Sequence, residues 1–142
     1  MLADEHVLVA YVDGNDFHEV APILRSHFQD FIAKRQWCTD QVTFVDQVHD
    51  PDPAFPDWLP DWDLGINLGL DHVPQMGEWF VDIETLVQFM EGLHAESGRD
   101  FVLFLAYRSR PWLQEHLYFI NGEEVDLHWL REAIERITGS GA

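Results

Sequence analysis

The chain has 142 residues, 46% of them apolar, with six Trp and ten Phe, and a formal charge of −18 at pH 7 from 26 acids and 8 bases. That length fits one compact domain, and that apolar content is ample for a packed core, which excludes a disordered acidic tail. The charge repels phosphates and anionic lipid, so neither nucleic acid nor a membrane is expected as a partner, and no apolar run approaches the roughly 20 residues needed to span a bilayer.

The start, MLADEHVLVAYVDG, has no basic n-region and no cleavable apolar run, so no secretory signal is expected. His6 to Val12 (HVLVAYV) reads as a buried strand from its short, Val-rich apolar run. DFHE then opens a helix: Asp16 can cap it, and Glu19 sits three residues on, as in a capping box. Val20, Ile23, Leu24, Phe28, Phe31 and Ile32 recur at helical spacing to about Arg35, with Pro22 tolerable near a first turn. His27 falls on the apolar side of this helix and reads as a core histidine with its ring satisfied. Lys34, the only lysine, and Arg35 sit at the helix end, where basic residues suit the macrodipole. The lone cysteine, Cys38, excludes an internal disulfide, reads as a buried thiol and suits a cytoplasmic location.

Gln41 to Val48 (QVTFVDQV) is a second strand candidate. Asp50 to Asp63 follows as DPDPAFPDWLPDWD, with five aspartates, four prolines and two tryptophans in fourteen positions. Its prolines forbid regular helix or a central strand. In WDLGINLGL, Leu64, Ile66, Leu68 and Leu70 alternate with Gly65, Asn67 and Gly69, a strict period of two with one apolar face. The small residues opposite would let something lie close, or mark an edge or bulge.

FVDIETLVQFMEGLHAESG is a helix with Asp82 as N-cap, a buried stripe of Leu86, Phe89, Met90 and Leu93, and Gly98 as its stop. DFVLFLAYR is an apolar strand, turned by SRPW into EHLYFI, and Asn121-Gly122 signals another turn. VDLHWLREAIERITG closes the chain as a helix capped by Asp126, with Leu127, Leu130, Ile134 and Ile137 inward. Strand, helix, two strands, helix, two strands, helix predicts a single α+β domain over residues 1–142. It would be a largely antiparallel sheet with about three helices packed on it.

Motifs for chemistry are sparse. A calcium loop of EF-hand type needs Asp-x-Asp-x-Asp-Gly with a Glu at its twelfth position, and prolines occupy the intervening places here. The eight histidines form no His-Glu-x-x-His or His-x-His pair, and the adjacent pairs His49-Asp50, Asp71-His72 and Glu115-His116 would face opposite ways on a strand. There is no Gly-x-Ser-x-Gly elbow and no phosphate-cradling glycine loop. Few cations are present to steady developing negative charge. No catalytic, cofactor or metal residue is therefore assigned, and no cofactor is expected.

Charge placement is more informative. From Gln36 to Gly98 there is no Lys or Arg, while thirteen Asp and Glu give that window −13 of the −18. Solubility alone does not require such asymmetry. The Pro-Trp-Asp segment makes sense as an interface: proline preorganises it, Trp58 and Trp62 supply apolar anchors, and Asp50, Asp52, Asp57, Asp61 and Asp63 would meet Arg or Lys. The bland reading is a solvated loop whose tryptophans fold back onto the sheet. Arg108, Arg110 and Trp112 form a counter-cluster that either pairs with the protein's own acids or adds a second contact patch.

The acidic middle, VDQVHDPDPAFPDWLPDWD, and the C-terminal half, GRDFVLFLAYRSRPWLQEHLYFINGEEVDLHWLREAIERI, resemble at the class level the small acidic α+β immunity and antitoxin proteins of bacterial polymorphic toxin systems. That resemblance implies a cytoplasmic, stoichiometric inhibitor that occludes the functional surface of a basic protein partner such as a cognate toxin. It carries over no family residues. Two alternatives stay open: an adaptor or structural subunit using the same face, and a small metal-dependent hydrolase built on scattered Asp, Glu and His. Nothing in the sequence fixes an oligomeric state.

Overall fold

The alternation in WDLGINLGL sets how the sheet is built. In the computed structural model, which describes residues 6–14, 17–37, 42–48, 62–70, 80–107 and 110–138, Leu64, Ile66, Leu68 and Leu70 are all buried under the helices. The elements are β1 (His6–Val12), α1 (Ala21–Lys34), β2 (Val42–Val48), β3 (Trp62–Gly69), α2 (Phe80–Ser97), β4 (Phe101–Tyr107), β5 (Arg110–Ile120) and α3 (Leu127–Thr138). The five strands form one sheet in the order β2-β3-β1-β4-β5, with every neighbouring pair antiparallel. The fold is α+β.

β1 and β2 run the same way on either side of β3, and β3 and β4 run the same way on either side of β1. The first six elements therefore follow the split β-α-β order of the ferredoxin-like motif, to which β5 and α3 are added. Register explains the core. Leu8 faces Leu68 and Leu105, Ala10 faces Ile66 and Leu103, and Val12 faces Phe101, so one layer of apolar side chains runs across the central strands. Leu24 and Phe28 of α1, Leu86 and Met90 of α2, and Leu130 and Ile134 of α3 close over it in one cluster. Phe28 meets Phe89 and Phe101 edge-on at 5.8 and 6.2 Å, locking α1, α2 and β4 together.

Several ends differ from the sequence expectation. α1 begins at Ala21, so Glu19 precedes the helix and no capping box forms; Asp16 lies outside the described residues. Val20 takes the N-cap position without a side-chain cap, and proline occupies the first turn, where its missing N–H costs nothing and its fixed φ suits the helix. Ile23 is 54% exposed. Leu24, Phe28 and Phe31 form the inward stripe, and a residue adjacent to Leu24 is rotated about 100° away from it.

α2 begins at Phe80, so Asp82 lies in its first turn rather than at its N-cap. Phe80 and Ile83 are both buried, and that apolar pair draws the helix start upstream. β5 starts at Arg110, so residues 110–112 extend a strand instead of forming a turn. Its pairing with β4 shifts register at Leu103/Phe104 and Ala106/Tyr107, and it is an edge strand, the position where proline is tolerated.

The remaining stops follow expectation. Gly98 has φ +74° and its N–H donates to His94 O at 2.8 Å, closing α2. Gly122 has φ +96° in the turn after β5. Asp126 Oδ1 accepts the Trp129 N–H at 3.0 Å and caps α3. No described helix is long and apolar enough to cross a membrane.

Candidate functional site

The Pro-Trp-Asp segment is the connection between β2 and β3. Val48 pairs with Trp62 and Gln47 with Asp63, so its two ends are held opposite each other at one end of the sheet. Asp50, Asp52, Asp57, Trp58 and Asp61 lie outside the described residues. Trp62 is placed by its backbone as the first residue of β3, and Asp63 follows it on the face of the sheet that points away from the helices.

On that face, where Val9 of β1 is also buried, Asp63 belongs to a small polar and aromatic strip. Tyr11 of β1 pairs with Gly65 of β3, where the absence of a side chain lets the two backbones lie close together; Asp63 and Asn67 are the two diagonal neighbours. Phe104 meets the Tyr11 ring edge-on at 5.9 Å. Burial, and then the Asp63 carboxylate, push the Tyr11 phenol up to about 12, while a hydrogen bond with the Asn67 side chain pulls the other way. Asn67 Oδ1 is buried without a partner. A phenol held neutral this far above physiological pH is a hydrogen-bonding group and no general base. Sequence reading missed Tyr11 and Asn67. The available signal was a tyrosine in one strand and a glycine flanked at two residues by Asp and Asn in another, which becomes a cluster only once the register is known.

The electrostatics follow from where the bases go. Arg25 Nε sits 2.7 Å from Asp46 Oδ2, Lys34 Nζ 3.7 Å from Asp30 Oδ2, and Arg131 Nε 3.2 Å from Glu135 Oε1. Arg35 bonds Asp82 Oδ1 at 2.9 Å and lies 5.0 Å over the Trp37 ring. Arg99 donates to Asp13 O at 3.0 Å and covers the Phe17 ring. Among the described residues Asp82 is the one buried carboxylate. The described bases are thus largely engaged internally, and the described acids other than Asp82 keep at least partial exposure. Of the counter-cluster, Arg108 lies outside the described residues, while Arg110 and Trp112 are placed by backbone in β5.

His27 is not a core histidine. It is half-exposed, and its Nε2 lies 3.3 Å from Glu96 Oε1, bridging α1 to α2 at the surface. Glu115 and His116 do point to opposite faces, opposite Leu105 and Phe104 respectively. His49, Asp50, Asp71 and His72 lie outside the described residues, as does Cys38. Among the described residues no three His, Cys, Asp or Glu side chains gather as a metal site. Comparison with family models, with curated proteins and with solved structures finds no match for this chain.

Proposed function

We propose that this protein is an acidic protein-binding inhibitor of the immunity or antitoxin kind, one that occludes the functional surface of a basic partner such as a toxin. The observation that carries this reading is the disposition of charge: a surplus of 18 acids in which Asp82 alone, among the described carboxylates, is buried and the described bases are largely engaged within the protein. An acidic surface of this kind steers a basic partner into encounter and rejects polyanions.

The contact residues are Asp50, Asp52, Asp57, Trp58, Asp61, Trp62 and Asp63. Support for them comes from composition and placement: a proline-rich, Trp- and Asp-bearing connection whose ends are fixed on β2 and β3. The tryptophans would anchor and the aspartates pair cations, and blocking would be steric and electrostatic.

The test is to capture partners on immobilised protein at low salt, elute with salt, and measure the affinity of the eluted basic protein for two folded variants. Trp58→Ala and Asp61→Ala are each expected to weaken binding about tenfold or more. Unchanged affinity in both removes this segment from the interface. A partner that high salt does not release would favour a permanent adaptor role instead.

A further inference from the structure

A second recognition feature lies at the opposite edge of the sheet from β2. Among the described residues, five large apolar side chains are exposed: Ile23, Val48, Val81, Phe119 and Trp129. The two aromatic ones, Phe119 at 47% and Trp129 at 43% exposure, border the same groove. This groove, of about 530 Å³, lies between β5 and the start of α3, and His116, Tyr118, Glu123 and Asp126 also line it.

Its walls come from both faces of the sheet. His116 and Phe119 stand opposite Phe104 and Val102 on the face away from the helices, whereas Tyr118 stands opposite the buried Leu103 on the helix side. His116 packs on Phe119 with ring centroids 4.4 Å apart, and Tyr118 meets Trp129 at 5.7 Å. The aromatic groups therefore bracket the outer edge of β5. That edge strand has an irregular register with β4 and carries Pro111, both of which work against adding another strand. Side-chain capture is the recognition mode that fits.

The charge on the groove has one sign. From Pro111 to Leu130 there are four acids, Glu115, Glu123, Glu124 and Asp126, and no Lys or Arg. The next base, Arg131, is turned to Glu135 and to the face of Phe80. Asp126 gives one oxygen to the α3 cap, so Glu123 is the main charge partner available in the groove.

We infer that this groove binds an arginine side chain presented by the basic partner, an inference that rests on the function proposed above. A guanidinium is planar, stacks on aromatic faces and offers a fork of donors to a carboxylate, which matches aromatic walls beside Glu123. A lysine ammonium would use the charge but not the flat walls. A second copy of this chain is disfavoured, because two molecules of charge −18 repel.

The test is a titration at low salt, followed by backbone and indole N–H resonances, with the peptide acetyl-Gly-Arg-Gly-Arg-Gly-amide. Peptides carrying lysine or the neutral isostere citrulline in place of arginine serve as controls. The Trp129 indole and the amides of residues 116–126 are expected to shift with the arginine peptide, with affinity about tenfold lower for citrulline and several-fold lower for lysine. Trp129→Ala and Glu123→Gln should each weaken arginine binding several-fold. Phe119→Ser, at an exposed strand position, provides the same readout if the Trp129 variant does not fold.

Shifts confined to residues 49–63 would overturn the groove while leaving the proposed function standing. Equal binding of arginine and lysine, or of arginine and citrulline, would overturn the arginine assignment. A dimer in the absence of peptide, with its contacts on residues 116–129, would give the groove to a second copy. Absence of shifts anywhere would overturn the groove, while the proposed function would still be decided separately by the partner capture.

Discussion

Gly65 sits where the backbone of β3 lies close against that of β1. A Cβ there would fall inside the van der Waals contact of the Ala10 carbonyl oxygen, with Tyr11 Cα also within reach. Since both obstacles are backbone, neither can swing aside. Gly65→Ala is expected to destabilise the fold by about 3 kcal/mol, at the upper end for overpacking, or to prevent folding; urea unfolding measures it. The same glycine makes room for Tyr11, whose phenol is raised to about 12 by burial and by Asp63. Because the folded state favours the neutral phenol, its contribution is complete below the unfolded value of about 10 and is lost as pH rises from about 10 to 12. For a partly exposed ring this amounts to about 1–2 kcal/mol after allowance for solvent screening. Denaturation midpoints across that window should fall more for the native chain than for Tyr11→Phe, and an ultraviolet titration should lose its latest phenol in the variant. Single-residue environments of this kind were only half legible in advance. The small-residue face of WDLGINLGL announced a close approach, and it is the β1 backbone that approaches, since β3 is internal and neither an edge nor bulged against its neighbours.

Between elements, the tie from Arg35 to Asp82 joins the end of α1 to the first turn of α2. Asp82 is 1% exposed, Arg35 is mostly buried, and Arg35 also lies over Trp37, whose indole N–H donates to Ile32 O at 3.2 Å. Removing either partner leaves a charge in a site built for a pair, so Asp82→Ala and Arg35→Ala are each expected to cost about 3 kcal/mol. The double variant should cost less than the two singles together, and a double-mutant cycle from urea midpoints reads the difference. Additive costs would mean that the pair is not coupled. This bridge explains two departures from periodicity. Arg35 is more than a cation placed for the α1 dipole, and Asp82 is more than a cap, because each answers a charge brought to it from another helix. Local capping rules worked where the partner was local: Asp126 to Trp129, and Gly98 after His94.

At the scale of the molecule, charge dominates, and long-range steering by exposed acids weakens as the Debye length shrinks from about 10 Å at 0.1 M to 3 Å at 1 M salt. That is why partner capture should be strong at low salt and reversed by high salt. Apolar periodicity and turn residues in the sequence determined the element order, the α+β class and the helix-covered face of β3, because these depend on contacts every few residues along one chain. Composition determined the acid surplus and where it is densest. The tertiary structure decided what depends on register: that Asp63, Asn67 and Tyr11 meet across two strands, that Arg35 reaches Asp82, that His27 reaches Glu96 at the surface, and that Phe119 and Trp129 share one groove. The physical reason is common to all four. A local period fixes which way a side chain points, but only the pairing of strands and the docking of helices fixes what it points at.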